Sequence, residues 1–152
     1  LRFKLVLFTT AVATIVVDRI TKYWASHVLG IGHSTDFIGK YVLLTPIVNS
    51  GAAFGILTNA TVVLAVVSVI ATLAVIIAAF MIRRGTTFLA IAPGLILGGA
   101  ASNGFDRIFY GKVVDFINLR YWPVFNAADS AVTIGIIMLL IGFIYPKIIV
   151  KP

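Results

Sequence analysis

Cysteine and glutamate are absent from this 152-residue sequence, and only two histidines are present. Disulfides, thiolate metal sites and cysteine nucleophiles are therefore excluded. The His-rich spacing that holds a catalytic zinc ion is missing as well, so neither a metal nor another cofactor is expected. Charge is scarce: 11% of residues are charged, against about a quarter in soluble domains. The five acids are all aspartates, set against 12 lysines and arginines for a net charge of +7. In a soluble chain that surplus would suggest nucleic acid. Here the basic residues sit at the ends of apolar runs, where anchoring and orientation in a membrane account for them, and nucleic acid is not expected as a partner.

Apolar residues make up 61% of the chain, and the mean hydropathy is +1.10. The solvent of this fold is lipid. At about 20 residues per helical crossing, the length allows about four spans and two modest connections, in a single domain covering 1–152. Spans are expected at about 5–24, 60–82, 86–105 and 130–147. The first resembles a signal-peptide core but lacks a small-residue cleavage site before Asp18, so it reads as a retained span. The second is uncharged until Arg83 and Arg84; the third is interrupted by Pro93 and rich in glycine; Lys147 and Lys151 close the fourth.

With four crossings, Arg2, Lys4, Arg83, Arg84, Lys147 and Lys151 share one side, which the positive-inside rule makes cytoplasmic. Both termini are then inside. The connections 25–59 and 106–129 face outward, with Trp24, Tyr41, Tyr121 and Trp122 suited to the interface. Their patterns are not helical. Lys40 to Leu44 and Lys112 to Leu119 are short, β-branched and aromatic, each after a glycine. The expected fold is therefore an all-α membrane protein with four transmembrane helices and a small outward-facing β-sheet at the membrane surface.

An ionisable residue at membrane depth is a functional candidate by default. Asp18 and Lys22, spaced i, i+4, share one helical face and can pair; Arg19 is expected to snorkel to the interface. Asp106 and Arg107 follow a run of small residues with Asn103, whose amide can bond a peptide group. Asp115 lies in an apolar strand-like run, and Asp129 lies where the fourth span begins, a position where a lone aspartate usually acts as an N-cap. Two carboxylates in a partly desolvated site share a proton. Such a pair can hydrolyse an amide without a metal, one member activating water while the other protonates the carbonyl oxygen. The sequence permits that chemistry without establishing that Asp115 and Asp129 meet.

Five ordered blocks carry a family resemblance: Asp18 to Lys22, Asn49 to Phe54, Gly98 through Asn103 to Arg107, Val113 to Phe116, and Phe125 to Asp129. Together they resemble the motifs of lipoprotein signal peptidase, signal peptidase II. The resemblance implies an integral aspartyl peptidase of the bacterial cytoplasmic membrane, with its active site on the outer face. Its implied substrate is a prolipoprotein, cut just before a cysteine bearing a diacylglyceryl group, and its implied other partners are membrane lipids and the inhibitor globomycin. It further implies that Asp115 and Asp129 are catalytic, that Asn49, Asn103, Arg107 and Asn126 bind substrate or order the site, and that Asp18, Lys22 and Asp106 support it. Two features depart from the pattern: Ser102 stands where glycine is usual, and the stretch from Asp115 to Asn126 is short.

A proton-coupled transporter could use Asp18, Asp115 and Asp129 as a relay, but the sequence lacks internal repeats and its acids cluster at one face. A scaffold subunit packing through glycine-rich helices would leave Asn49, Asn103 and Asn126 unexplained.

Overall fold

A computed structural model describes residues 2–51, 61–82 and 85–145. Ala52, Ala53 and Phe54 of the second motif block, the pair Arg83 and Arg84, and Lys147 and Lys151 lie outside the described residues. Four long helices carry the structure: α1 (Arg2–Trp24), α2 (Thr61–Met81), α3 (Thr87–Tyr110) and α4 (Ala127–Ile144). Three of them, α2, α3 and α4, are long and apolar enough to cross a membrane. Helix α1 has 23 residues, about 35 Å at 1.5 Å per residue, but holds Asp18, Arg19 and Lys22 in its last two turns.

Helix α3 is central and packs against the other three helices. Glycine makes that possible, because lipid offers little hydrophobic drive between helices and close backbone approach must supply the attraction. A Cβ on Gly98 would lie 2.6 Å from the Ala11 carbonyl oxygen of α1, and one on Gly99 would collide with the Ala128 carbonyl of α4. The polarity of the bundle is inverted relative to a soluble protein. Val62, Ile70, Phe80, Ile137 and Phe143 are exposed, whereas Asp18, Lys22, Asn103, Asp106 and Asn126 are buried.

Pro93 lies within α3 without ending it, and the helix continues past the expected end at Phe105 to Tyr110. Asp106 and Arg107 do not stop it, because Asp106 is paired inside the bundle. Gly111, at φ 68, closes it, a left-handed conformation that glycine adopts freely.

The expected sheet is present, with three antiparallel strands in the order β1–β2–β3: β1 (Thr35–Ile38), β2 (Val42–Asn49) and β3 (Val113–Asn118). Strand β1 and a π-helical turn over Ala25–Gly30 were not expected from the sequence. Lys40 and Tyr41 precede the central strand, which runs on to Asn49. Pro46 lies within β2, where it has no N–H to donate, and the pairing with β3 shifts between Leu44 and Ile47. Beyond that shift Ile47 opposes Asp115 and Asn49 opposes Val113. After β3 the chain doubles back tightly: Phe125 N–H donates to the Ile117 carbonyl at 3.1 Å and its carbonyl accepts from Ile117 N–H at 2.8 Å. The short stretch between Asp115 and Asn126 is therefore a return that sets Asn126 beside β3.

Candidate active site

Asp115 comes from β3 and is 3% exposed. Asp129 stands in the first turn of α4, where Asn126 is the N-cap. The cap is reciprocal: Asn126 Oδ1 accepts from Asp129 N–H at 2.9 Å, and Asp129 Oδ2 accepts from Asn126 N–H at 3.2 Å. Asp129 is thus the third helical residue of a capping box and not the cap itself, contrary to the usual reading of a lone aspartate there.

Three asparagine amides surround the two carboxylates. Asn49 Nδ2 donates to Asp115 Oδ2 at 2.8 Å, Asn126 Nδ2 donates to Asp115 Oδ1 at 2.7 Å, and Asn103 Nδ2 donates to Asp129 Oδ1 at 2.8 Å. With the backbone N–H of Asn126 on Asp129 Oδ2, each of the four carboxylate oxygens accepts one N–H. The direction of each amide is fixed by a group that can only donate. Gly51 N–H points at Asn49 Oδ1 at 2.9 Å, Asp129 N–H at Asn126 Oδ1, and the Lys22 ammonium at Asn103 Oδ1 at 2.8 Å. Asn49 and Asn126 are brought to Asp115 by the bulged sheet and the tight return, respectively.

Burial is the largest influence on Asp115 and pushes its pKa from 3.8 up to about 6. The Asn49 amide opposes the shift, the charge of Asp129 adds to it, and Asn126 and Lys22 oppose it less. A carboxyl of this kind can carry a proton near neutral pH, and its partner sits across the same asparagine.

Behind Asn103 lies a buried cluster of charges. Lys22 Nζ is 2.7 Å from Asp18 Oδ2 and 2.8 Å from Asp106 Oδ2. The pairing of Asp18 with Lys22 follows the i, i+4 spacing, but Asp18 reaches two further helices: Ser102 Oγ donates to its Oδ2 at 2.6 Å, and the Ala128 N–H of α4 donates to its Oδ1 at 2.9 Å. Arg19 does not snorkel to the interface. Its guanidinium turns inward onto Asp106 Oδ1 at 2.6 Å and donates to the Ser102 carbonyl at 2.9 Å, because a buried carboxylate is a better partner than a distant headgroup. Serine in place of glycine at position 102 therefore adds a buried donor. Arg107 is half-buried and extends back along α3 toward the Asn103 carbonyl, 3.5 Å away. His27 and His33 are exposed in the connection that leads to β1, with His27 against Tyr23 and Ser26.

The family model described as Signal peptidase (SPase) II matches residues 10–145. A lipoprotein signal peptidase of Clostridium novyi is 42% identical over 132 residues, covering 84% of this chain and 89% of the relative. One from Moorella thermoacetica is 37% identical over 136 residues, covering 90% and 91%, and one from Pseudomonas syringae pv. tomato is 35% identical, covering 90% and 84%. Among solved structures, a bacterial membrane enzyme determined by the in meso method at 2.3 Å resolution superposes with a TM-score of 0.81 at 32% identity, covering 91% of this chain and 87% of its own.

Proposed function

This chain belongs to the signal peptidase II family, and on that premise we propose that it removes signal peptides from prolipoproteins by aspartyl hydrolysis at Asp115 and Asp129. The single observation that carries the mechanism is Asn126, which bonds Asp115 through its side chain and Asp129 through its backbone. Two carboxylates tied to one residue can share one proton. In this reading Asp115, whose burial in β3 raises its pKa to about 6, carries it. Ionised Asp129 takes a proton from the attacking water, and Asp115 gives its proton to the carbonyl oxygen; reverse transfers then protonate the departing amine. No metal is called for, since amide N–H groups and the shared proton serve the developing charges.

Asn49, Asn103 and Asn126 keep both carboxylates at fixed orientation, and Arg107 completes the substrate-binding set near Asn103. A signal peptide inserted as a helix hides its backbone amides, so the site must accept an unwound stretch whose freed groups need polar partners. The scissile bond precedes a cysteine bearing a diacylglyceryl group. Two acyl chains that remain in the bilayer hold that bond at the depth of the aspartates, which turns docking into a nearly two-dimensional search. In this reading the protein is a multi-pass component of the bacterial cytoplasmic membrane, α1 is the fourth span, the site opens on the outer face, and globomycin competes for it.

The test is cleavage by the purified chain in detergent of one precursor in two forms, with and without the diacylglyceryl group. The lipidated form should be cut much faster, and Asp115→Asn and Asp129→Asn should each abolish turnover while thermal melting stays cooperative. Equal rates on both precursors would point to a general intramembrane peptidase, and an active aspartate variant would remove that residue from the pair.

A further inference from the structure

Lys22 is 6% exposed, and an ammonium has three N–H donors and no acceptor. All three donors are used, each on a different acceptor: Asp18 Oδ2, Asp106 Oδ2 and Asn103 Oδ1. Two of these are charged partners that hold the ammonium in place. The third is the neutral amide that touches Asp129. Because Lys22 can only donate, the Asn103 atom facing it must be the carbonyl oxygen, and the NH2 end must face Asp129 Oδ1. Asn126 Nδ2 reinforces the choice by donating to the same Asn103 oxygen at 3.2 Å.

We infer that Lys22 is a positioning residue for catalysis, one that sets the direction of the hydrogen bond between Asn103 and Asp129 without touching substrate. This rests on the reading of Asp129 as a catalytic group. With the amide in its present direction, Asn103 donates to Asp129 and supports the ionised carboxylate that activates water. Reversed, it would present an oxygen to that carboxylate, and only a proton between them would relieve the repulsion. That proton would occupy the base. The buried charges of Asp18 and Asp106 thereby acquire a role beyond bracing: they hold the ammonium within hydrogen-bond reach of the Asn103 oxygen. Arg19 also balances the cluster, so that two aspartates face two cations.

The experiment compares Lys22→Met, Asn103→Ala and their combination in the full chain. Because Lys22 acts through Asn103, adding Lys22→Met to Asn103→Ala should lower kcat by no more than about threefold, although Lys22→Met alone lowers it by about a hundredfold or more with little change in KM. Losses that multiply would overturn the inference. Lys22→Met leaves two buried carboxylates short of a partner, so the charge-balanced pair Lys22→Met with Asp106→Asn serves as its folded counterpart, referred to Asp106→Asn alone. Asn103→Asp retains the contact with Lys22 but turns an acceptor toward Asp129, and its kcat should fall about tenfold or more below that of Asn103→Ala. A readout independent of cleavage is the side-chain NH2 resonance of Asn103, assigned by its loss in Asn103→Ala. Solvent exchange of these protons should be slow in the parent chain and fast once Lys22 is methionine. Unchanged protection would sink the inference even if the chain proved to be a peptidase, and failure to cut any precursor would sink the peptidase reading while leaving this measurement intact.

Discussion

Asn126 Nδ2 lies 2.7 Å from Asp115 Oδ1, and Asn126 itself is fully buried. This contact joins the sheet to the start of α4, because the same residue caps the helix that carries Asp129. One side chain therefore both caps α4 and bonds Asp115.

Replacing Asn126 by alanine should separate the two effects by size. Loss of the cap costs about 1 kcal/mol of stability, a small drop in melting temperature. The bond that aligns Asp115 with Asp129 is lost as well, and a misplacement of this kind can lower kcat about a hundredfold. Melting curves and initial rates on a lipidated precursor check both; a large fall in stability with a proportionate loss of activity would mean that Asn126 acts through folding alone.

The raised pKa of Asp115 gives two pH dependences with defined signs. In the proposed mechanism its proton passes to the carbonyl oxygen, so cleavage should decline as pH rises through about 6. Between 3.8 and about 6 the folded chain holds a proton that the unfolded chain has released. Stability contributed by this group is therefore greatest at low pH and falls as pH rises through that window, by up to about 3 kcal/mol. Melting temperature against pH should show this decline in the parent chain and a shallower one in Asp115→Asn; the same slope in both would assign it to another group.

Orientation is open to a direct check. From the distribution of basic residues, a reporter fused after Lys151 should be cytoplasmic, and one inserted near His33 should be exported. The opposite pattern would put the aspartates on the inner face and remove the site from the side where an exported precursor presents its cleavage point.

The amino-acid sequence alone determined the solvent, the helices and one ion pair. Long apolar runs bounded by charge have one low-energy solution in lipid, where every backbone group must be bonded within its own helix. The spacing of Asp18 and Lys22 likewise dictates a shared helical face. The pairing of β2 with β3 was partly legible: the β-branched runs marked both strands, but not the shift at Pro46 that carries Asn49 to Asp115. Strand β1 has no alternation of burial to betray it, since all four of its residues are exposed.

Tertiary structure decided the rest, and the reason is distance along the chain. Arg19 turns inward because Asp106 and Ser102, 83 positions away in the case of Ser102, offer a buried carboxylate and a carbonyl. Ser102 acquires a purpose only where α1 and α3 approach closely enough for its hydroxyl to reach Asp18. Composition could nominate Asn49, Asn103 and Asn126 as polar residues in apolar company. The amides of Asn49 and Asn126 are directed by N–H groups two and three residues further along, but the direction of Asn103 depends on Lys22, 81 positions away, and exists only once α1 and α3 have packed.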